Sequence, residues 1–106
     1  MLSFGIDIIK IDSFPSFIRG DEYSFFLYNY TKSEIEFAKK QINPDIEFIK
    51  MFSIKESLVK SDKLLIGKNF NKIELSFFGN CYFYNNYKIT TTTANNNCVS
   101  FVLRTV

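Results

Sequence analysis

A chain of 106 residues is long enough for one hydrophobic core and too short for two ordinary domains, so residues 1–106 are expected to fold as a single domain. Hydrophobic residues make up 46% of it, which excludes a disordered polymer. The formal charge of +2 is too small to argue for nucleic acid, and the lack of any histidine nearly excludes the usual zinc sites.

Residues 2–9, Leu-Ser-Phe-Gly-Ile-Asp-Ile-Ile, have the short apolar run of a buried strand. The run lacks a basic leader and contains Asp7, so no secretory signal is expected, and no run in the chain approaches membrane length. Phe14-Pro15 closes this unit, and a short helix or turn should follow over residues 14–19. The aromatic segment from Tyr23 to Tyr30 is expected to be helical. Thr31-Lys32-Ser33-Glu34 has the form of a capping box and predicts a helix over roughly 31–41. Asn43-Pro44-Asp45 is a second start signal, with Asn as N-cap and Pro in the first turn, and its helix should run through Lys60.

Beyond Gly67 the pattern turns to strands. Ile73-Glu74-Leu75-Ser76-Phe77 alternates, Gly79-Asn80 is a turn signal, and Cys81 to Tyr84 is strand-like. Asn85-Asn86 is another turn, and two β-rich runs, Tyr87 to Thr93 and Val99 to Val106, are separated by Asn95-Asn96-Asn97, a hairpin signal. The expected class is α+β: a strand, helices, then an antiparallel meander. Cys81 and Cys98 make no metal-binding spacing, and two free thiols in a reducing, cytoplasmic setting are expected.

Two features fit poorly in a bland core. Asp7 places a carboxylate inside an otherwise apolar strand, where it is costly unless a cation or hydrogen-bond donors compensate it. Edge exposure or a local turn cap would serve equally well. On the helix from Pro44 to Lys60, Phe48, Met51, Phe52, Leu58 and Val59 form an apolar stripe, at roughly 100° per residue. Lys55 projects into its centre, where it must snorkel or find an anion. Glu56 lies on its edge, with Lys60 one turn on, and a plain Glu56–Lys60 surface pair would also explain them.

Charge is unevenly spread. Residues 1–54 hold six basic and eight acidic side chains, residues 55–106 seven and three, and Lys55, Lys60, Lys63, Lys68 and Lys72 fall in one stretch. That stretch is either a solvated helix end or a place for a compact anion such as a nucleotide. Carboxylates from a strand and a helix, with lysines nearby, suit Mg²⁺ carrying phosphate oxygens. Spacing alone does not say whether Asp7 and Glu56 meet.

Three motifs, in order over about the first 60% of the chain, resemble the holo-acyl-carrier-protein synthases of the phosphopantetheinyl transferase superfamily. Gly5-Ile6-Asp7-Ile8 is similar to their first-strand Gly-x-Asp-Ile, and Tyr30-Thr31-Lys32-Ser33-Glu34 to their aromatic-Thr-x-x-Glu. The run from Phe52 to Lys60, with Lys55-Glu56-Ser57 at its centre, is similar to their Lys-Glu-Ala/Ser helix. The resemblance implies Mg²⁺ held by Asp7 and Glu56, and coenzyme A as co-substrate. It implies transfer of 4'-phosphopantetheine to a serine of an acyl carrier protein or related carrier domain. Glu56 and Lys60 would be the catalytic groups, and Lys55, Lys60, Thr92 and Thr93 the coenzyme-binding ones. A homo-oligomer, a trimer above all, is implied as well, with no role for nucleic acid or membrane.

The sequence also departs from the family pattern. Ser13 and Met51 stand where family members carry arginines, Ser61 to Gly67 replaces a glycine-rich loop, and Thr90-Thr91-Thr92-Thr93 replaces a Ser-x-Ser-His run. A catalytically degenerate member acting as a binding or regulatory subunit therefore stands as an alternative. A small basic nucleotide-binding module is another.

Overall fold

The computed structural model describes residues 2–105. Strand β1, Leu2–Lys10, is followed by one turn of 3-10 helix at Ile11–Ser13 and by turns. Helices α1, Tyr23–Asn29, α2, Lys32–Lys39, and α3, Pro44–Ser61, come next. Single 3-10 turns at Lys63–Leu65 and Phe70–Lys72 lead to strands β2, Ser76–Phe78, and β3, Cys81–Phe83. Strands β4, Lys88–Ala94, and β5, Asn97–Thr105, complete the chain. The fold is α+β.

The strands do not form one meander. β1, β5 and β4 make an antiparallel sheet in that order, with Asp7 opposite Ser100 and Ser100 opposite Thr91. β2 and β3 form a separate hairpin. The strand expected at 73–77 is confined to its last residues plus Phe78, because the Leu75 amide donates to the Glu34 carboxylate at 2.8 Å instead of joining a ladder. Asn95 and Asn96 both have positive φ, 51° and 63°, which matches the twist that a tight β4–β5 hairpin requires.

α3 is the central element, lying across one face of the three-stranded sheet. Its start is as the sequence dictates: the Asn43 side chain accepts from the Ile46 amide, and Pro44 fills the first turn. Phe48, Met51, Ile54 and Leu58 are fully buried in a core shared with Phe26, Tyr30, Ile73 and Val102. The Phe-rich composition is spent here, with Phe26 and Phe48 meeting edge to face at 4.9 Å. Met51 is a core residue.

One glycine sets how closely α3 and β1 approach. A Cβ on Gly5 would lie 1.9 Å from the Ser57 carbonyl oxygen, so only glycine lets the strand rest on the helix backbone. That approach brings Asp7, two residues on and on the same strand face, against α3.

Candidate functional site

Asp7 points at α3 and is nearly buried. Its Oδ2 accepts a hydrogen bond from the Ser53 hydroxyl at 3.2 Å, and its Oδ1 lies 3.1 Å from the Lys60 ammonium. Lys60 also donates to the Ile6 carbonyl at 3.0 Å, yet its side chain remains 52% exposed. Glu56, half-buried one turn before Lys60, shares the locale. Burial first, and then the Asp7 charge, push its carboxyl above the ordinary carboxylate range, with Lys60 opposing.

The residues therefore divide cleanly by place. Asp7 and Lys60 form an ion pair at the junction of β1 and α3, and Glu56, one turn before Lys60, is near enough to feel the Asp7 charge. The Glu56–Lys60 surface pair open to the sequence is not among the described ion pairs.

Lys55 is not part of this cluster. Its ammonium is buried and spends all three donors elsewhere: on Glu34 Oε1 at 2.6 Å, the Phe70 carbonyl at 2.8 Å and the Asn29 carbonyl at 2.9 Å. It also stands 5.2 Å from the centre of the Tyr30 ring. The resemblance implies a coenzyme role for Lys55, whereas here its three N–H groups are all engaged within the chain. Glu34 is the anion that the stripe required. Besides Lys55 it accepts from the Thr31 amide at 2.8 Å, completing the capping box, and from the Leu75 amide. Burial raises the Glu34 carboxyl and lowers the Lys55 ammonium, and each partner's charge opposes the other's shift.

Thr92 and Thr93 do not join Asp7 within the chain. Thr91 shares the row of Asp7 and Ser100, so Thr92, level with Val99 and Ile8, projects to the opposite sheet face. Thr93 is exposed on the outer strand, two strand spacings from β1, or roughly 10 Å. The cavity of about 340 Å³ near the start of α3, lined by Ile11, Asp12, Ser16, Arg19 and Asp45 among others, does not include Asp7, Glu56 or Lys60.

Two contributors escaped sequence reasoning. Ser53 was hidden as a small residue on a core-facing helix, though its recurrence with Ser57 one turn on, both fully buried, was the available signal. Glu34 was explained by the capping box alone, which uses only part of a carboxylate's accepting capacity.

The donor chemistry fits a hard divalent cation. Two like-charged carboxylates lie close enough to raise the pKa of one, and the compensating charge comes from a half-exposed lysine. Among the described residues no three acidic, His or Cys side chains gather to hold a metal. A cation here would take two carboxylates and leave its other positions to water and ligand, as Mg²⁺ does.

Residues 3–102 match the family model of the 4'-phosphopantetheinyl transferase superfamily. The chain belongs to that superfamily. Among solved structures it is similar to holo-[acyl-carrier-protein] synthase from Thermotoga maritima, with TM-score 0.78 and 18% identity, over 97% of this chain and 63% of that one. It is also similar to ACPS from Chronobacterium ammoniagenes without ligand, with TM-score 0.74 and 14% identity, over 97% and 95% of the two chains. The complex of the latter enzyme with CoA gives TM-score 0.75 and 13% identity, over 97% and 96%. At these identities the likeness speaks for the fold. None of the curated proteins matches the chain by sequence. Gly5, two residues before Asp7, lies against the backbone of Ser57, the residue after Glu56. Among the described residues no helix is long and apolar enough to cross a membrane.

Proposed function

We propose that this chain transfers 4'-phosphopantetheine from coenzyme A to a serine of an acyl or peptidyl carrier protein, in a Mg²⁺-dependent reaction. The observation that carries the reading is the meeting of Asp7, Glu56 and Lys60, remote in sequence, at the β1–α3 junction. Superfamily membership narrows the chemistry, and the donor set suits the ion.

Asp7 and Glu56 would hold Mg²⁺, which supplies neutralisation of pyrophosphate charge when bound. The nucleophile is the carrier's serine hydroxyl. Its oxygen bonds to the β-phosphorus while the bond from that phosphorus to the bridging oxygen breaks, releasing adenosine 3',5'-bisphosphate. Glu56, which lies beside the Asp7 carboxylate, would take the hydroxyl proton. Lys60, half-exposed beside Asp7, would offer its ammonium to the phosphates. Lys55 and Glu34 lie behind the site as framework.

The same chain assembles as a homo-oligomer, a trimer, through the sheet face that α3 leaves uncovered. Leu2, Phe4, Ile6 and Ile8 stand there side by side, 52–64% exposed, next to Phe101. Thr92 projects from the same face, so assembly would place it at a subunit boundary.

The degenerate alternative draws on Lys55 and Met51, both withdrawn into the interior. Mass spectrometry of apo-carrier proteins incubated with the chain, coenzyme A and Mg²⁺ separates the two. The transferase reading expects a mass gain of one phosphopantetheine, and Glu56→Gln should slow it by about 10²-fold or more. No gain across a panel of carriers, or undiminished turnover by the variant, overturns it.

A further inference from the structure

The Ser53 hydroxyl is fully buried on the face of α3 that meets the sheet. Alanine would fill the same place without a polar group, and a buried hydroxyl is costly unless it is bonded. Its single proton goes to Asp7 Oδ2 at 3.2 Å. On β5 the Cys98 sulfur is 3.7 Å from Thr91 Oγ1. Thr91 Oγ1 in turn is 3.0 Å from Ser100 Oγ. Cys98, Thr91 and Ser100 are thus linked to one another across β4 and β5, and the Ser53 hydroxyl is left to Asp7.

The two oxygens of Asp7 are consequently unlike. Oδ2 faces inward and is fixed by a group with nowhere else to go. Oδ1 faces Lys60, a long side chain that is half exposed and can leave.

We propose that Ser53 is a positioning residue for Asp7: it clamps the inner carboxylate oxygen so that the outer one is presented to an exchangeable cation. This rests on the divalent-metal reading of the site. A partner of this kind typically changes metal affinity 10–100-fold when removed.

Ser57 supplies an internal control. It is equally buried one turn further along α3, but its hydroxyl meets only the Ser53 and Ser100 carbonyls, at 3.0 and 3.3 Å. Calorimetric titration with manganese chloride, an oxygen-seeking stand-in for Mg²⁺, should show Ser53→Ala binding about tenfold more weakly than the parent chain. Ser57→Ala should bind as the parent does. Ser53→Cys, nearly isosteric and a weaker donor, should fall between, and it carries the test if the alanine variant does not fold. Thermal melts without metal confirm that each variant starts from the folded state. Equal affinity of folded Ser53→Ala and parent, or equal loss in the Ser53 and Ser57 variants, overturns the positioning role alone. Absence of Mn²⁺ binding by the parent overturns the metal reading and the role of Ser53 with it.

Discussion

Gly5 shows how a single residue decides the site. The Ser57 carbonyl occupies the space that any Cβ on Gly5 would need, so a side chain there forces α3 away from β1. Gly5→Ala should lower stability by about 1–3 kcal/mol or more in urea unfolding, with weakened divalent binding because Asp7 and Glu56 ride on the two separated elements. An unchanged unfolding midpoint would show that the contact relaxes freely. Asp7 poses the opposite case, a residue whose charge matters to chemistry more than to stability. Its ion pair with half-exposed Lys60 contributes less than about 1 kcal/mol, so Asp7→Asn should melt near the parent while losing divalent binding in the same calorimetric titration. A large drop in melting temperature would instead make Asp7 a structural residue. Asp7 was legible in the sequence as an oddity because a lone carboxylate in an apolar strand needs a reason. Its partner Ser53 was not, because a serine on a helix face is compatible with nearly any surroundings.

At the scale of elements, the Glu34–Lys55 pair ties α2, α3, the end of α1 and the segment before β2 into one assembly. Lys55 precedes Glu56, so anchoring its ammonium fixes the rotation of α3 and with it the direction of Glu56, about 100° round the helix. Lys55→Met leaves the Glu34 carboxylate buried without a counter-charge and should cost about 3–5 kcal/mol at neutral pH, whereas Glu34→Leu together with Lys55→Met should cost less than the single change. The single variant should also carry a distinctive pH dependence. Burial already raises the Glu34 carboxyl, and Lys55 is the main opposing influence, so its removal raises the folded-state pKa further. The folded variant then binds a proton that the unfolded chain does not. Its stability deficit shrinks as pH falls through that raised pKa and is full above it. Urea unfolding of parent and variant across pH checks this, and a deficit that is constant with pH would mean Glu34 never carries the charge. The helices themselves were legible from Thr31-Glu34 and Asn43-Pro44, because capping is local chemistry. The β strand expected at 73–77 was misplaced because Leu75 bonds to a residue 41 positions away, which alternation cannot reveal. Lys55 was legible as a cation in need of an anion, but the sequence does not show that Glu34 is the anion it finds.

At the scale of the whole molecule, α3 covers one side of a three-stranded sheet, and among the described residues the other side is left bare. Ile6 faces Phe101 across the β1–β5 register, Phe4 faces Leu103, and the Phe4 and Phe101 rings lie 6.2 Å apart, so the exposed side chains are contiguous. β1 is also an edge strand of the described sheet, nine residues long, on which Lys60 meets the Ile6 carbonyl and the Ser13 hydroxyl meets the Lys10 carbonyl. A face of this kind is stable in water when another surface covers it. None of Leu2, Phe4, Ile6, Ile8 and Phe101 carries charge, so copies of the chain can meet there without repulsion, and the association should resist salt, unlike one mediated by lysines. Light scattering after size exclusion should therefore give a trimer mass that is unchanged on raising sodium chloride from low to molar concentration. Ile6→Lys should convert it to monomer, because a cation inserted in an apolar interface cannot be paired there. The monomeric variant should retain its helical circular dichroism while losing transfer activity if Thr92 acts across the boundary. It should keep that activity if Asp7, Glu56 and Lys60 of one chain suffice. A parent chain that is monomeric at every concentration would remove the assembly altogether and leave the apolar face without a partner copy.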